Sequence, residues 1–248
     1  MTANGPNPAG STPPPTVERL ADEDELASTV AARLGERIAQ VQAEGRRPRV
    51  VLTGGSIAIA IYERLEASAA DWTDVELWFG DERFVPAGHE DRNDRQADDA
   101  FLTRLSVPAE NVHRMPAHGC DLAMAAAADA YAETLPDGPF DVVLLGLGPD
   151  GHIASLFPGL PQVHESERDC VEVFGSPKPP PERLSLTVPV LRRGEAVWFL
   201  VSGEGKADAV SRSLADEGSI DETPARSVQG RSETTWFVDE AAASGLPG

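Results

Sequence analysis

The 248 residues carry 41 acidic and 21 basic side chains, a net charge of −20, with 41% hydrophobic and 25% charged residues. This balance excludes a low-complexity chain, and so acidic a protein repels phosphate backbones and anionic membranes, so neither nucleic acid nor a membrane is expected as a partner. No apolar run approaches the ~18 residues that cross a bilayer, and MTANGPNPAGSTPPP lacks the basic and apolar regions of a signal peptide, so a cytoplasmic protein is expected.

The spacing then predicts one α/β domain over residues 16–248 behind a disordered Pro-rich tail over 1–15. From Asp22, the positions Leu26, Val30, Leu34, Ile38 and Val41 recur at helical period, with Gly45 as a stop. RVVLTGG reads as a buried strand running into a glycine pair, and SIAIAIYERLEASAA as the helix after it. VELWFGDERF reads as a second strand, DDAFLTRL and CDLAMAAAADAYAETL as helices, and FDVVLLGLG as a third strand. RLSLTV, AVWFLVSG and TTWFVD are the fourth, fifth and sixth. Apolar strands alternating with helices predict a mostly parallel sheet covered on both faces. In such sheets ligands sit beyond the carboxyl ends of the strands, which directs attention to four loops.

The first loop, Thr53-Gly54-Gly55-Ser56, offers bare backbone N–H groups and a helix start to an anion, or is a tight turn only. It is not a nucleotide-binding P-loop, which needs a lysine after the last glycine. In the second, Asp81 and Arg83 place a carboxylate and a guanidinium at one sheet edge. Arginine grips phosphate or carboxylate with two parallel bonds. The third, Gly146-Leu147-Gly148-Pro149-Asp150-Gly151-His152, satisfies the G-x-G-x-x-G pattern of dinucleotide sites. Pro149, Pro158 and Pro161 nevertheless deny it the long helix that such sites open, so no nicotinamide cofactor is expected. His152 at a strand end suits a general base, because an imidazole titrates near neutral pH, and Asp150 is placed to orient it. The other four histidines are expected at the surface. The fourth loop brings Lys206, which with Lys178 makes up all the lysine in the chain. Lys178 and Arg183 bracket a stiff Pro-rich segment. Cys120 and Cys170 are expected as free thiols. No G-x-S-x-G or H-E-x-x-H occurs, and no metal or other cofactor is expected.

Taken together, TGGS, FGDERFVP, LGLGPDGHIASLFPG, SPKPPPERLSLT and VSGEGKADA resemble the 6-phosphogluconolactonase family, from about residue 17 to the C-terminus. The resemblance implies a three-layer, Rossmann-like α/β fold shared with glucosamine-6-phosphate deaminase and ribose-5-phosphate isomerase. It also implies hydrolysis of a sugar-phosphate lactone. His152, Asp81, Arg83 and Asp150 would then form the catalytic set, with Gly54, Gly55, Ser56, Gly148, Gly151, Lys178, Arg183 and Lys206 binding substrate. Many members have Ser-Thr-Pro after the glycine pair, where this chain has Ser56-Ile57-Ala58. A deaminase/isomerase is the competing reading, but it carries a glutamate five residues after the histidine, and here that position is Phe157. A non-catalytic sugar-phosphate sensor is the third reading. Such domains accompany a DNA-binding segment, and no basic helix occurs here. A monomer or weak homodimer is expected.

Overall fold

The computed structural model describes residues 12–247, so the expected tail falls outside it up to residue 11, while residues 12–15 are exposed. The elements run β1 (Thr16–Leu20), α1 (Glu23–Ala43), β2 (Arg49–Leu52), α2 (Ser56–Glu63), β3 (Glu76–Phe79), β4 (Asp81–Arg83), α3 (Asn93–Ala97) and α4 (Met124–Ala132). There follow β5 (Phe140–Gly146), β6 (Cys170–Val173), β7 (Arg183–Leu186), α5 (Val188–Leu191), β8 (Gly194–Val201), α6 (Ala207–Leu214) and β9 (Glu233–Asp239).

Six strands form an all-parallel sheet in the order β1-β9-β8-β5-β2-β3. Its central strands carry apolar stretches, VVL in β2, VVLL in β5 and AVWFLV in β8, because both faces are covered. Alternate residues go to opposite sides: Val51, Val143, Val197 and Phe199 join α4, α5 and α6 in one core cluster, while Val50, Val142, Trp198 and Leu200 join α1 and α2 in the other. α1 starts on Asp22, whose carboxylate accepts the Glu25 N–H at 2.8 Å, and ends before Gly45 in the left-handed region. Its buried stripe includes the expected Leu26, Val30, Leu34, Ile38 and Val41.

Several expected elements divide differently. VELWFGDERF breaks at Gly80: β3 stays in the large sheet, whereas β4 joins β7 and β6 in a separate three-stranded antiparallel sheet. RLSLTV therefore does not belong to the large sheet. Its place is taken by β1, which charged residues conceal. Gly80 serves both sheets at once, donating to Leu52 O and accepting from Leu186 N. The helix expected through Ala70 stops at Glu63, where the Arg104 guanidinium takes the carbonyls of Tyr62 and Glu63 in its last turn and of Leu65 just beyond. The helix expected at 98–105 is a wide single turn, Asp98–Leu102, continuing α3.

The chain adds β3 on one side of β2 and then crosses to place β5 on the other, followed outward by β8 and β9. The order reverses between β2 and β5. The two loops leaving these strands diverge there and open a crevice at their carboxyl ends.

Candidate active site

The crevice is lined by Thr53, Gly54 and Gly55 after β2, Gly146, Leu147 and Gly148 after β5, and Asp81 and Arg83 of β4. Asn93, His152, Ala154, Lys178, Arg183 and Lys206 complete the wall. Four loops distant in sequence converge there because parallel strands end at one edge of the sheet.

The turn after β5 sets the geometry of His152. Gly148 N–H donates to His152 O, and Gly151 N–H returns to Gly148 O, both at 2.9 Å, so the chain doubles back and the imidazole lies over Gly148. A Cβ at position 148 would stand 1.9 Å from His152 Nδ1 and 2.4 Å from Asp150 Oδ1, so only glycine fits. Asp150 Oδ1 is 2.5 Å from His152 Nδ1. Burial pulls the Asp150 carboxyl upward, but the hydrogen bond and charge of His152 outweigh it and leave it at about 2. An ionised carboxylate only accepts, so Nδ1 carries a proton in either state of the ring, and in the neutral imidazole the Nε2 lone pair is the free one. The other face of the ring packs on Phe157, with centroids 4.5 Å apart. No long helix follows: residues 153–160 are bridges and turns, as the prolines require.

The cations are anchored mainly by neutral groups. Arg183, 5% exposed, donates to the carbonyls of Lys178, Pro179 and Pro180 at 3.2–3.3 Å, so the Pro-rich segment curls over it. Lys206 Nζ donates to Leu147 O at 2.7 Å; burial and the neighbouring Lys178 lower its pKa, partly offset by Asp150. Arg83 donates to Asp91 O and to the Asn93 side chain. Among the described residues, Arg83, Lys178 and Lys206 make no ion pair, and Arg183 faces a single carboxylate, Asp81, at 3.9 Å.

Asp81 is itself engaged, accepting from the fully buried Ser155 hydroxyl at 2.6 Å and from Asn93 Nδ2 at 3.3 Å. Ala154, at φ 47°, turns the chain between His152 and Ser155 so that one faces the crevice and the other Asp81.

Of the residues singled out in the sequence, His152, Asp81, Arg83, Gly54, Gly55, Gly148, Lys178, Arg183 and Lys206 meet in the crevice, with Asp150 behind His152. Ser56 lies beside it at the start of α2, in an adjoining cleft shared with Gly55, Leu147 and Lys206. Gly151 does not line the crevice. Its Cα faces Thr223, leaving a Cβ only 2.9 Å from that side chain, so it supports the turn from behind. His113 is half-buried and stacked on Trp78 at 4.2 Å, unlike the surface position expected. Asn93 and Ser155 escaped the sequence reading; Asn93 sits inside EDRNDRQADD, which looks like a solvated charged face.

Residues 21–236 match the family described as glucosamine-6-phosphate isomerases/6-phosphogluconolactonase. The chain is 44% identical to the 6-phosphogluconolactonase of Streptomyces coelicolor, over 91% of this chain and 92% of that one. It is 43% identical to the Mycobacterium tuberculosis 6-phosphogluconolactonase, over 94% and 98%. Its fold superimposes on the 6-phosphogluconolactonase structure from Trypanosoma brucei with a TM-score of 0.81 at 28% identity, covering 96% of this chain and all of that one. With the histidine turn after β5 and the glycine loop after β2 set at one reversal of a parallel sheet, the chain belongs to the glucosamine-6-phosphate isomerase/6-phosphogluconolactonase family.

Proposed function

We propose that the chain hydrolyses 6-phospho-D-glucono-1,5-lactone to 6-phosphogluconate, as in the oxidative pentose phosphate pathway. The observation that carries this reading is an Asp150–His152 pair facing a crevice in which backbone carbonyls hold Lys206 and Arg183. His152 Nε2 takes a proton from a water molecule as the water oxygen bonds to the lactone carbonyl carbon. The bond from that carbon to the ring oxygen then breaks, and the imidazolium returns the proton to the departing oxygen. A positioned acid–base group is worth ~10²–10⁴-fold.

Negative charge gathers on the carbonyl oxygen during attack, and Arg83 is the donor assigned to it, since the Gly148 and Gly151 N–H groups are spent inside their own turn. The phosphate dianion lies along Gly54, Gly55 and Ser56 at the start of α2, with Lys206 as its principal cation and Arg183 and Lys178 flanking. Lys206 uses one of its three N–H groups on Leu147, leaving two for the phosphate. Phe157 against the imidazole leaves His152 with Asp150 as its one carboxylate neighbour among the described residues, which favours hydrolysis over proton shuttling between carbons.

The test generates the lactone in place with glucose-6-phosphate dehydrogenase and follows its disappearance with and without the protein. Acceleration over spontaneous hydrolysis that His152→Ala loses is the expected result. No acceleration, with ammonia released from glucosamine 6-phosphate, would replace this reading with the deaminase.

A further inference from the structure

Behind the wall that carries Arg83 lies a buried ionic cluster that the hydrolysis does not use. Glu82, Arg92 and Asp94 are 1%, 1% and 6% exposed. Glu82 Oε1 accepts the backbone N–H groups of Arg83 and Asn93, each at 2.8 Å, and Oε2 accepts that of Asp94 at 2.9 Å. Arg92 closes the cluster, 3.8 Å from Glu82 Oε2, donating two parallel bonds to Asp94 at 2.8 and 2.9 Å and a third to Met115 O at 2.7 Å. One carboxylate thus ties β4 to the first turn of α3, accepting three backbone N–H groups with the Arg92 guanidinium beside it.

The residue pinned at the centre of this contact is Asn93, and its side chain points the other way, into the crevice. Its Oδ1 accepts from the Arg83 guanidinium, and its Nδ2 donates to Asp81 O at 2.9 Å. The same Oδ1 lies where a Cβ on Gly54 would approach to 1.9 Å, so Asn93 also abuts the glycine loop. Arg83 has few other ties: the described residues supply Asp91 O at 2.9 Å as its second side-chain acceptor. We propose that Glu82 is a positioning residue, acting through Asn93 to aim the Arg83 guanidinium at the carbonyl oxygen of the lactone. The inference rests on the reading of Arg83 as the donor to that oxygen.

A displacement of about 1 Å at such a donor costs up to ~10²-fold in rate. The experiment measures kcat and KM of the full chain for wild type, Glu82→Gln, Asn93→Ala, the double variant and Arg83→Lys, with thermal midpoints alongside. Gln at 82 turns an N–H group toward the Asp94 N–H and Arg92, so α3 is released. Expected are losses in kcat of roughly 10- to 100-fold in both single variants, larger than any change in KM. The double variant is expected to be no slower than Glu82→Gln alone, because both act on one guanidinium. Should Glu82→Gln not fold, Glu82→Asp, which keeps the charge one methylene short, carries the same comparison. Losses that multiply in the double variant, or wild-type kcat in Asn93→Ala, overturn the relay. An impaired Arg83→Lys beside a wild-type Glu82→Gln removes Glu82 alone, whereas a wild-type Arg83→Lys withdraws Arg83 from the chemistry and this inference with it.

Discussion

Cationic side chains sit at both ends of the parallel sheet, arginines at one and arginines with both lysines at the other, but they are held by different partners at each. At the amino ends of the strands, carboxylates meet them: Arg37 pairs with Glu233, Arg46 with Asp141, Arg49 with Glu76, and Arg231 with Glu195. At the carboxyl ends, backbone carbonyls hold Lys206 and, with Asp81 3.9 Å away, Arg183, while a carbonyl and an amide hold Arg83. A carboxylate cancels the charge it fixes, whereas a carbonyl fixes it and leaves it available. In a chain of net charge −20, the proposed reaction needs such cations in the crevice, because a dianionic substrate is repelled by the surface as a whole.

The largest effect separating the two ends is expected at Gly148. Ala there forces the imidazole off Asp150, since its Cβ would fall 1.9 Å from Nδ1. The expected outcome is a fall in kcat of ~10²–10⁴-fold, the usual worth of a positioned base. Steady-state kinetics, with circular dichroism to check the fold, would decide; near-wild-type turnover would mean that the activity does not depend on this pair. Next comes Lys206→Met. It removes a charge-assisted bond to phosphate of ~1.5–3 kcal/mol, which at ~1.4 kcal/mol per decade raises KM roughly 10- to 100-fold with kcat little changed. The dependence of kcat/KM on salt should weaken along with it, because steering by that charge is lost. An unchanged KM would place the phosphate elsewhere.

The contrast between the ends was unevenly readable in the sequence. β2, β5, β8 and β9 carry apolar stretches, VVL, VVLL, AVWFLV and WFV, and a parallel sheet sends ligands to their carboxyl ends, so position joined to side-chain chemistry singles out the glycine loop, His152 and Lys206. What escaped depends on contacts made across the chain. Gly80 passes as one residue of a strand until β7 is seen to take β4 into a second sheet. Asn93 is hidden in a charge run, and its role arises from Glu82 eleven residues earlier. Ser155 meets Asp81 only because Ala154 turns the chain between them.

A change in pH probes the carboxyl end more gently. The folded pKa of Asp150, at about 2, lies below the ordinary carboxylate value of ~3.9, so its stabilising contribution is present above ~4 and lost as pH falls through about 2. Urea unfolding at about pH 5 and about pH 3 should therefore show a larger loss in the wild type than in Asp150→Asn. Equal losses would mean that the pair does not form in solution.

The smallest effect belongs to the other end of the sheet, and its smallness is the point. Arg231 stands 3.4 Å from Glu195 with both side chains well exposed, at 56% and 37%. An exposed pair of this kind gains little Coulomb energy in water and loses side-chain freedom, so Arg231→Ala is expected to cost at most ~1 kcal/mol. Kinetically the expectation is sharper. The charge removed was already matched by Glu195, on the far side of the sheet from the crevice, so kcat, KM and the salt dependence of kcat/KM should all stay at wild-type values. Lys206→Met and Arg231→Ala each delete one positive charge, so they change net charge equally. If both raised KM alike, substrate capture would follow total charge alone; a rise confined to Lys206→Met ties it to where the unneutralised cations are held.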